Sequence, residues 1–251
     1  MKTRLNYQVF PFLISVVLQG CTGDGWEPLY NGKNLDGWHV ECKPEDKSRD
    51  FWTSKGEYIE CNSLGQSDHN YVWLMSDKEY DNFDLKLEFQ IFTTVQGNSG
   101  MQFRSRYDRS DTASGGGWLN GPQVDIHPPS SFRTGLIYDE TRGVQRWIYP
   151  SLPDWEITPD DTPGSAHQTI LYYADKDPEA WNSFELICNG MEIQTIINGN
   201  PVAQYDATGI LDDENHQAKG VGTKGYLAFQ LHNRDELLIR FRNIFIRETG
   251  E

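Results

Sequence analysis

The sequence predicts an all-β protein, a β-sandwich of the jelly-roll type. Apolar and polar residues alternate along several short segments, which is the pattern of half-buried strands. An Asn-Gly pair, Asn189 and Gly190, separates two such segments in the manner of a β-hairpin, and Gly and Pro turns are frequent. No segment carries a sustained apolar stripe with the 3.6-residue period of a helix, so helices are expected to be minor.

The predicted strands follow one another along the chain. Residues 83–91 alternate without a break, and residues 237–246 form a long final strand. The other predicted strands are short alternating runs, at residues 101–104, 123–127, 184–188, 191–198, 201–205 and 227–232. Residues 150–178 hold several Pro and Asp residues but few alternating apolar ones, so we expect a long loop over one rim of the sandwich.

Composition excludes several classes of protein. The 251 residues include 22 Lys and Arg against 37 Asp and Glu, a net charge of −15. A surface this acidic argues against a nucleic-acid partner, which needs clustered cations, and favours a neutral ligand over an acidic one. The aromatic fraction of 13% argues against a disordered chain, and the length allows one large all-β domain.

The first twenty residues are interpreted as an export signal. Lys2 and Arg4 precede a short apolar run at residues 9–18, which is too short to span a bilayer as a helix. The following residues 18–21 (LQGC) resemble a bacterial lipobox, so Cys21 is the predicted site of lipidation, with a plain signal peptide as the alternative. We therefore expect a lipoprotein signal peptide at 1–20, a tether at 21–25 and a single domain at 26–251. The protein would be exported and attached to the cell envelope only by its lipid.

Three further cysteines lie in the predicted domain. The spacing of Cys42, Cys61 and Cys188 matches no zinc motif. Export would permit a disulfide, and Cys42–Cys61 is the expected pair because both lie early, near strands predicted to be adjacent. Cys188 alternates in phase with apolar residues and is expected in the core.

Unusual polar residues share faces of three predicted strands. Amides, imidazoles, one carboxylate and one guanidinium occupy positions where a solvent-facing strand usually carries Lys, Glu or Thr. Such groups suit recognition of hydroxyls, and aromatic residues in nearby segments could provide a flat surface for a sugar ring. The polar residues are Gln102, Arg104, Gln123, Asp125, His127, Gln230 and His232, and the aromatic ones are Trp118, Tyr138, Trp147, Tyr149 and Trp155. Any one of these polar residues is better explained as an ordinary surface position, whereas the three strands together favour a site.

Only one residue of the central polar strand, Asp125, is a carboxylate. A conventional glycosidase needs two carboxyl groups flanking the bond, and Asp139 or Glu140 could supply the second. The turn at residues 98–100 (NSG) is expected to bring backbone, and Asn98, close to the site. No cofactor is required by the pattern. A divalent cation at Asp125, His127 and His232 stays open, although no ligand spacing demands it, and a Ca²⁺ ion held by the Asp-rich loops is equally possible.

Several motifs together resemble one known family. Residues 29–38 (LYNGKNLDGW) are similar to the opening motif of the DUF1080 or 3-keto-disaccharide hydrolase family. Residues 98–104 (NSGMQFR), 121–126 (GPQVDI) and 135–140 (GLIYDE) resemble its next blocks, in the same order. Further matches at 181–182, 197–199, 225–232 and 241–244 extend the resemblance over residues 26–248. One departure is that many members carry Glu at the position of Gln123 and Gln at that of Asp125.

The resemblance implies a concanavalin A-like lectin/glucanase jelly roll acting on glycosides whose C3 hydroxyl has been oxidised to a ketone. The ketone acidifies the C2 hydrogen, so a base can remove it and the C1 substituent leaves by β-elimination, after which water adds. Asp125 is the first candidate for the base, followed by His127 and His232. The predicted enolate stabiliser is Arg104, the acids are Tyr138 or Glu140, and the substrate-binding residues are Asn98, Gln102, Trp118, Gln123, Trp147 and Gln230.

Two other function classes stay open at this point. A carbohydrate-binding module without catalysis would use the same aromatic and amide-rich surface. An ordinary glycosidase is disfavoured because the central strand lacks a second carboxylate.

Overall fold

The structure, a computed structural model, describes residues 24–95, 97–112, 116–164 and 169–250. The proposed signal peptide and Cys21 lie outside these residues. The described strands are β1 (Glu27–Pro28), β2 (Trp38–Cys42), β3 (Trp52–Ser54), β4 (Ile59–Asn62), β5 (Val72–Tyr80), β6 (Phe83–Gln90), β7 (Ser99–Asp108), β8 (Trp118–Asn120), β9 (Pro122–Ile126), β10 (Ile137–Asp139), β11 (Arg146–Tyr149), β12 (Asn182–Asn189), β13 (Glu192–Ile197), β14 (Asn200–Asp206), β15 (Gly225–Leu231) and β16 (Leu238–Glu248). The helical elements of the described residues are the α-helix α1 (Glu214–Lys219) and 3-10 turns at Pro44–Asp46, Pro128–Arg133 and Pro159–Asp161. Among the described residues, no helix is long and apolar enough to cross a bilayer.

The strands form two antiparallel sheets, which confirms the predicted all-β sandwich. The first sheet has the order β14-β13-β12-β6-β16-β4-β3, with β1 paired to β16. The second has the order β11-β10-β9-β7-β15-β5-β2, with β8 paired to β7. Strands that are neighbours in a sheet are often distant in sequence, as in a jelly roll.

The hydrophobic core lies between the two sheets. Phe229 of β15 stacks on Phe241 of β16 with ring centroids 4.0 Å apart, which joins the second sheet to the first. Trp38 of β2 stacks on the same Phe229 at 5.3 Å. The alternation seen in the sequence therefore directs one face of each sheet into a shared core.

The predicted hairpin after residue 188 is present, but its turn begins one residue later. Asn189 is the last residue of β12 and pairs with Glu192, so Gly190 and Met191 form the turn. Gly190 has a φ of 55°, a conformation that costs glycine little because it has no Cβ. The predicted rim loop at residues 150–178 is also largely irregular in its described part, which includes the 3-10 turn Pro159–Asp161 and a single bridge between Tyr173 and Ile91.

The predicted Cys42–Cys61 disulfide is wrong. Cys42 ends β2 in the second sheet, whereas Cys61 lies on β4 in the first, so strands close in sequence are in opposite layers. Both thiols are free and buried, as is that of Cys188. All three pack into the same hydrophobic cluster, in agreement with the expectation for Cys188.

Candidate active site

A cleft of about 530 Å³ opens on the outer face of the second sheet. Strands β9 and β10 form its floor, where Gln123 pairs with Tyr138 across the strands. Ends of neighbouring strands and the connecting loops supply the other walls. The cleft is lined by Tyr71, Asn98, Trp118, Gln123, Asp125, His127, Arg133, Tyr138, Glu140, Gln145, Trp155, His232 and Asp235.

The predicted turn at residues 98–100 is wrong, because Ser99 and Gly100 are the first residues of strand β7 and, from there, shape the floor of the cleft. Gly100 pairs with Asp125 across β7 and β9. A Cβ at Gly100 would come within 2.5 Å of the Gln123 side chain, so only glycine leaves room for this amide. The Asn-Ser-Gly sequence therefore has a steric role beneath the polar strand, while Asn98 itself lines the cleft.

Asp125 is buried and held by two donors. Arg133 Nε donates to its Oδ2 at 3.0 Å, and Gln123 Nε2 donates to its Oδ1 at 3.4 Å. Arg133 comes from the 3-10 turn Pro128–Arg133, and its guanidinium lies 5.1 Å from the centre of the Trp147 ring. Both carboxylate oxygens of Asp125 are therefore engaged, and its main effect is to fix a cation in the cleft.

His127 is held at both of its ring nitrogens by neighbouring N–H groups. The backbone N–H of Ser130 donates to His127 Nδ1 at 2.9 Å, and Arg133 Nη1 lies 3.4 Å from His127 Nε2. Burial lowers the pKa of His127, and the positive charge of Arg133 lowers it further. The negative charge of Asp125 raises this pKa but does not outweigh the other two effects. Both ring nitrogens thus lie against N–H groups of the protein, which leaves His127 poorly placed to accept a proton from a substrate.

Glu140 is the carboxyl group best suited to exchange a proton near neutral pH. Burial raises its pKa to about 7, and the charges of Asp125 and Asp139 add to this effect, while His232 and Gln230 oppose it. Gln230 Nε2 is 3.5 Å from Glu140 Oε1, so the carboxyl group is only weakly held. The adjacent Asp139 faces elsewhere, because its carboxylate contacts His216 Nε2 at 2.8 Å.

A hydrogen-bonded chain on the other side of the cleft combines Tyr71, His232 and Asp235. The Tyr71 hydroxyl lies 2.9 Å from His232 Nε2, and Asp235 Oδ2 lies 3.5 Å from His232 Nδ1. Burial opposes protonation of His232, but Asp235 and the nearby carboxylates Glu140 and Asp125 outweigh it and raise the pKa of the imidazole. Burial also raises the pKa of Tyr71, which therefore stays a neutral phenol with a proton to donate.

Four of the predicted site residues do not line the cleft. Arg104 donates to the backbone oxygens of Asp81 and Gly222 at 2.8 and 3.3 Å, so its predicted role as enolate stabiliser is wrong. The prediction that Gln102 and Arg104 share a strand face assumes regular strand geometry. The φ of 47° at Arg104 breaks that geometry. The other three, Gln102, Trp147 and Gln230, are fully buried behind the wall. Gln102 donates to the oxygen of Leu119 on β8, which folds over this part of the sheet.

The remaining predicted residues are brought together. The cleft contains Asn98, Trp118, Gln123, Asp125, His127, Tyr138, Glu140 and His232. The sequence prediction missed Tyr71, Arg133, Gln145 and Asp235, which lie in turns or next to strand ends rather than on the alternating faces. Of these four residues, only Asp235 could have been found from the sequence, because it follows the predicted site residue His232 by three positions.

The cleft has unmet hydrogen-bonding capacity. Asn98 Oδ1 and Gln123 Oε1 are buried without a partner among the described residues. Buried amide oxygens of this kind suit the hydroxyl groups of a ligand. Trp155 is 67% exposed at the rim and offers an aromatic face beside them.

The arrangement does not form a preorganised metal site. Within the described ranges, no group of three or more His, Cys, Asp and Glu side chains has a geometry suited to a metal ion. The nitrogen and oxygen atoms of Asp125, His127 and His232 instead contact Arg133, Ser130, Tyr71 and Asp235.

Residues 25–247 match the family model of the 3-keto-alpha-glucoside-1,2-lyase-like domain. The chain belongs to this family. The match covers both sheets and every described residue that lines the cleft. No curated protein matches the sequence.

Solved structures show that this fold occurs in other proteins. A candidate glycosyl hydrolase from Parabacteroides distasonis superposes with a TM-score of 0.55 at 19% identity, covering 90% of this chain and 94% of that one. The carbohydrate recognition domain of Emp46p superposes with a TM-score of 0.51 at 11% identity, covering 86% and 91%. At these identities the similarity establishes the fold alone.

Proposed function

We propose that this 3-keto-alpha-glucoside-1,2-lyase-like protein cleaves glycosides oxidised to a ketone at C3, by removal of the C2 proton and β-elimination of the C1 substituent. The observation that carries the proposal is Glu140, a buried carboxyl group with a pKa of about 7 in the 530 Å³ cleft of a member of this family. A general base is most effective when its pKa lies near the working pH.

In the first step, Glu140 takes the proton from C2. The electrons of the C2–H bond form a C2–C3 double bond, and the ketone oxygen becomes an enolate. Arg133, held by Asp125 and in contact with His127, is the donor placed to stabilise this negative charge. Arg133 thus takes the role that the sequence assigned to Arg104, and Asp125 positions it.

In the second step, the enolate expels the C1 substituent. The ketone re-forms, a C1–C2 double bond appears, and the electrons of the C1–O bond pass to the leaving oxygen. Tyr71 is the donor placed to protonate this oxygen, and protonated His232 can return a proton to Tyr71 through their 2.9 Å contact. Addition of water across the new double bond would complete hydrolysis.

The first test uses 4-nitrophenyl 3-keto-α-glucoside beside its unoxidised counterpart. We expect the purified protein to release nitrophenolate only from the ketone, with a primary isotope effect when C2 carries deuterium. Glu140→Gln should lower kcat roughly 10²- to 10⁴-fold because the base is lost. The rate should increase with pH through about 7 as Glu140 loses its proton.

The matched control is Glu179→Gln, an exposed carboxylate outside the cleft, which should retain full activity. Absence of release above the buffer rate, or full activity of Glu140→Gln, would contradict the proposal. Calorimetric binding of unoxidised glycans without any turnover would instead identify a carbohydrate-binding protein.

A second test separates the acid from the base. Tyr71→Phe should slow cleavage of a methyl 3-keto-glucoside much more than that of the nitrophenyl compound, because nitrophenolate leaves without protonation. Glu140→Gln should slow both substrates similarly. Equal losses for both substrates in Tyr71→Phe would exclude its role as the acid.

We also propose that residues 1–20 direct export and that Cys21 carries the lipid anchor. The support is the charged start, the short apolar run and the lipobox-like residues 18–21. Labelled palmitate should be incorporated in a bacterial host by the wild-type chain and by Thr22→Ser, but not by Cys21→Ser. Labelling of Cys21→Ser would contradict the anchor.

A further inference from the structure

A second, smaller pocket of about 170 Å³ lies next to the cleft. Tyr71 and Trp118 line both cavities and form the wall between them, with ring centroids 5.0 Å apart. We call this cavity the side pocket; its lining is Lys43, Asn70, Tyr71, Trp73, Gly117, Trp118 and Asn233.

Trp73 lines the side pocket and carries an unused donor. The residue is 2% exposed, and its Nε1 has no hydrogen-bond partner among the described residues. Its ring stacks on Tyr71 at 5.5 Å and meets Trp118 edge-on at 5.7 Å, so packing fixes its position. A buried N–H without an acceptor is costly, which makes this position favourable for an oxygen atom of a ligand.

Lys43 adds a cation to the same cavity. Its Nζ donates to Asn70 Oδ1 at 2.8 Å, and the Asn70 amide in turn donates to Asp46 Oδ2 at 3.0 Å. The ammonium group has further N–H bonds beyond the one that Asn70 accepts. Among the described lining residues there is no carboxylate, whereas the cleft contains Asp125, Glu140 and Asp235.

The two cavities therefore differ in chemistry. The cleft combines proton-exchanging groups with amide acceptors, while the side pocket combines aromatic faces with the N–H donors of Trp73 and Lys43. The wall between them contains Tyr71, which is placed to protonate the leaving oxygen. A leaving group released at this wall is next to the side pocket.

We propose that the side pocket is the binding site for the leaving group, and that it selects a ring carrying an oxygen acceptor, either a hydroxyl or a carboxylate group. This inference rests on the proposed function, since it assigns a place to one product of that reaction. The ring would lie beside Tyr71 and Trp118 at the wall, and its oxygen would accept from Trp73 Nε1 and Lys43 Nζ.

Binding of free leaving groups tests the side pocket without any turnover. Calorimetry would be performed with 4-hydroxybenzoate for the carboxylate, methyl α-glucoside for the hydroxyl, and phenol as the ring without the second oxygen. We expect at least one of the first two to bind more tightly than phenol. Trp73→Phe and Lys43→Met should each weaken that binding roughly 10-fold, as expected for loss of a strong hydrogen bond.

Lys47→Met, an exposed lysine outside both cavities, is the control. Weakening by Trp73→Phe and Lys43→Met beyond that of Lys47→Met supports the proposal, and the ligand that responds identifies the acceptor. Binding no tighter than that of phenol, or variants that behave like Lys47→Met, would overturn it. Thermal unfolding of each variant shows whether it is folded, and Trp73→Phe retains an aromatic ring to preserve packing.

Turnover provides the second readout. The 4-carboxyphenyl, phenyl and glucosyl 3-keto-glucosides would be compared in the wild-type protein and in Trp73→Phe. The ratio of kcat/KM between the acceptor-bearing substrate and the phenyl substrate should fall roughly 10-fold in the variant. If no 3-keto-glycoside is cleaved, the proposed function fails, and calorimetry still decides whether the side pocket binds its ligand. If cleavage occurs and the ratio is unchanged, only the leaving-group site is wrong.

Discussion

Glu140 combines a functional advantage with a cost to stability. Its pKa rises from 4.5 to about 7 on folding, chiefly through burial. An acid whose pKa is raised destabilises the folded state once the pH exceeds the unfolded value, and the cost grows until the pH reaches the folded value. The group best placed to act as a base therefore weakens the fold at the pH where it works.

The neutral variant Glu140→Gln should remove this cost. At pH 8 its free energy of unfolding should exceed that of the wild type by about 1–3 kcal/mol, with the difference vanishing near pH 4. Urea denaturation at both pH values measures it. Glu179→Gln is the control and should show no such difference, and a Glu140→Gln protein less stable than the wild type at pH 8 would contradict the assigned pKa.

Arg104 stabilises the fold and is not part of the site. Its guanidinium bonds to the backbone oxygens of Asp81 and Gly222, and the residue is 1% exposed. Arg104→Met would leave these buried acceptors unpaired, so the free energy of unfolding should fall by roughly 2–4 kcal/mol. Denaturation measures this loss, and kcat well below the melting temperature should change little. A large loss of kcat in the folded variant would show that Arg104 contributes to catalysis.

At the scale of single elements, alternation in the sequence predicted which residues share a strand face but not what covers that face. The core sides of β7, β9 and β15 are as predicted, because Phe103, Val124 and Phe229 are buried between the sheets. On the opposite side, Gln102 is covered by β8, whose position depends on pairing with the far end of β7. The cleft residue Arg133 comes from a 3-10 turn without any periodic pattern. Such non-local cover and turn geometry are invisible to a local pattern.

Helix α1 holds strand β10 in place through a contact between their side chains. His216 of α1 contacts Asp139 at 2.8 Å and Asp213 at 2.6 Å, so its ring lies between two carboxylates. Asp139 directly precedes Glu140, which makes this contact a support for the position of the proposed base. Burial opposes protonation of His216, but the bonds to both carboxylates outweigh it and raise its pKa.

The contribution of His216 should depend on pH in a defined direction. Because its folded pKa is raised above the ordinary 6.5, the stabilisation is complete below pH 6.5 and is lost as the pH rises through the folded value. His216→Gln should therefore be destabilised most at pH 6, by roughly 3–5 kcal/mol, and less at pH 9. Urea denaturation of both proteins across this range measures the effect. A destabilisation that increases with pH would show that His216 is neutral in the folded protein.

At the scale of the whole molecule, the two sheets have different roles. The lining of the cleft comes from the second sheet and its loops, while the first sheet provides the opposite half of the core. The layers are also joined by hydrogen bonds outside the core, since Thr195 of β13 donates to the oxygen of Gly135, just before β10, at 2.6 Å. Movement between the layers would therefore disturb the strand that presents Tyr138 and Glu140.

The buried free cysteines allow local and global opening of the structure to be measured on the unmodified protein. Burial raises the pKa of Cys42 to about 11 and that of Cys188 to about 12, so alkylating reagents will label these thiols only when the structure opens. Cys42 ends the edge strand β2 and should react first, through local fraying. Cys61 and Cys188 lie on interior strands of the first sheet and should react together, at the rate of global unfolding.

Pulsed alkylation followed by peptide mass spectrometry would give the three rates separately. Faster labelling of Cys61 than of Cys188 would reveal that the first sheet opens in parts. Equal rates would make the pair a measure of global stability, and Cys42 a measure of how readily the cleft-bearing sheet loosens while the rest of the molecule stays folded.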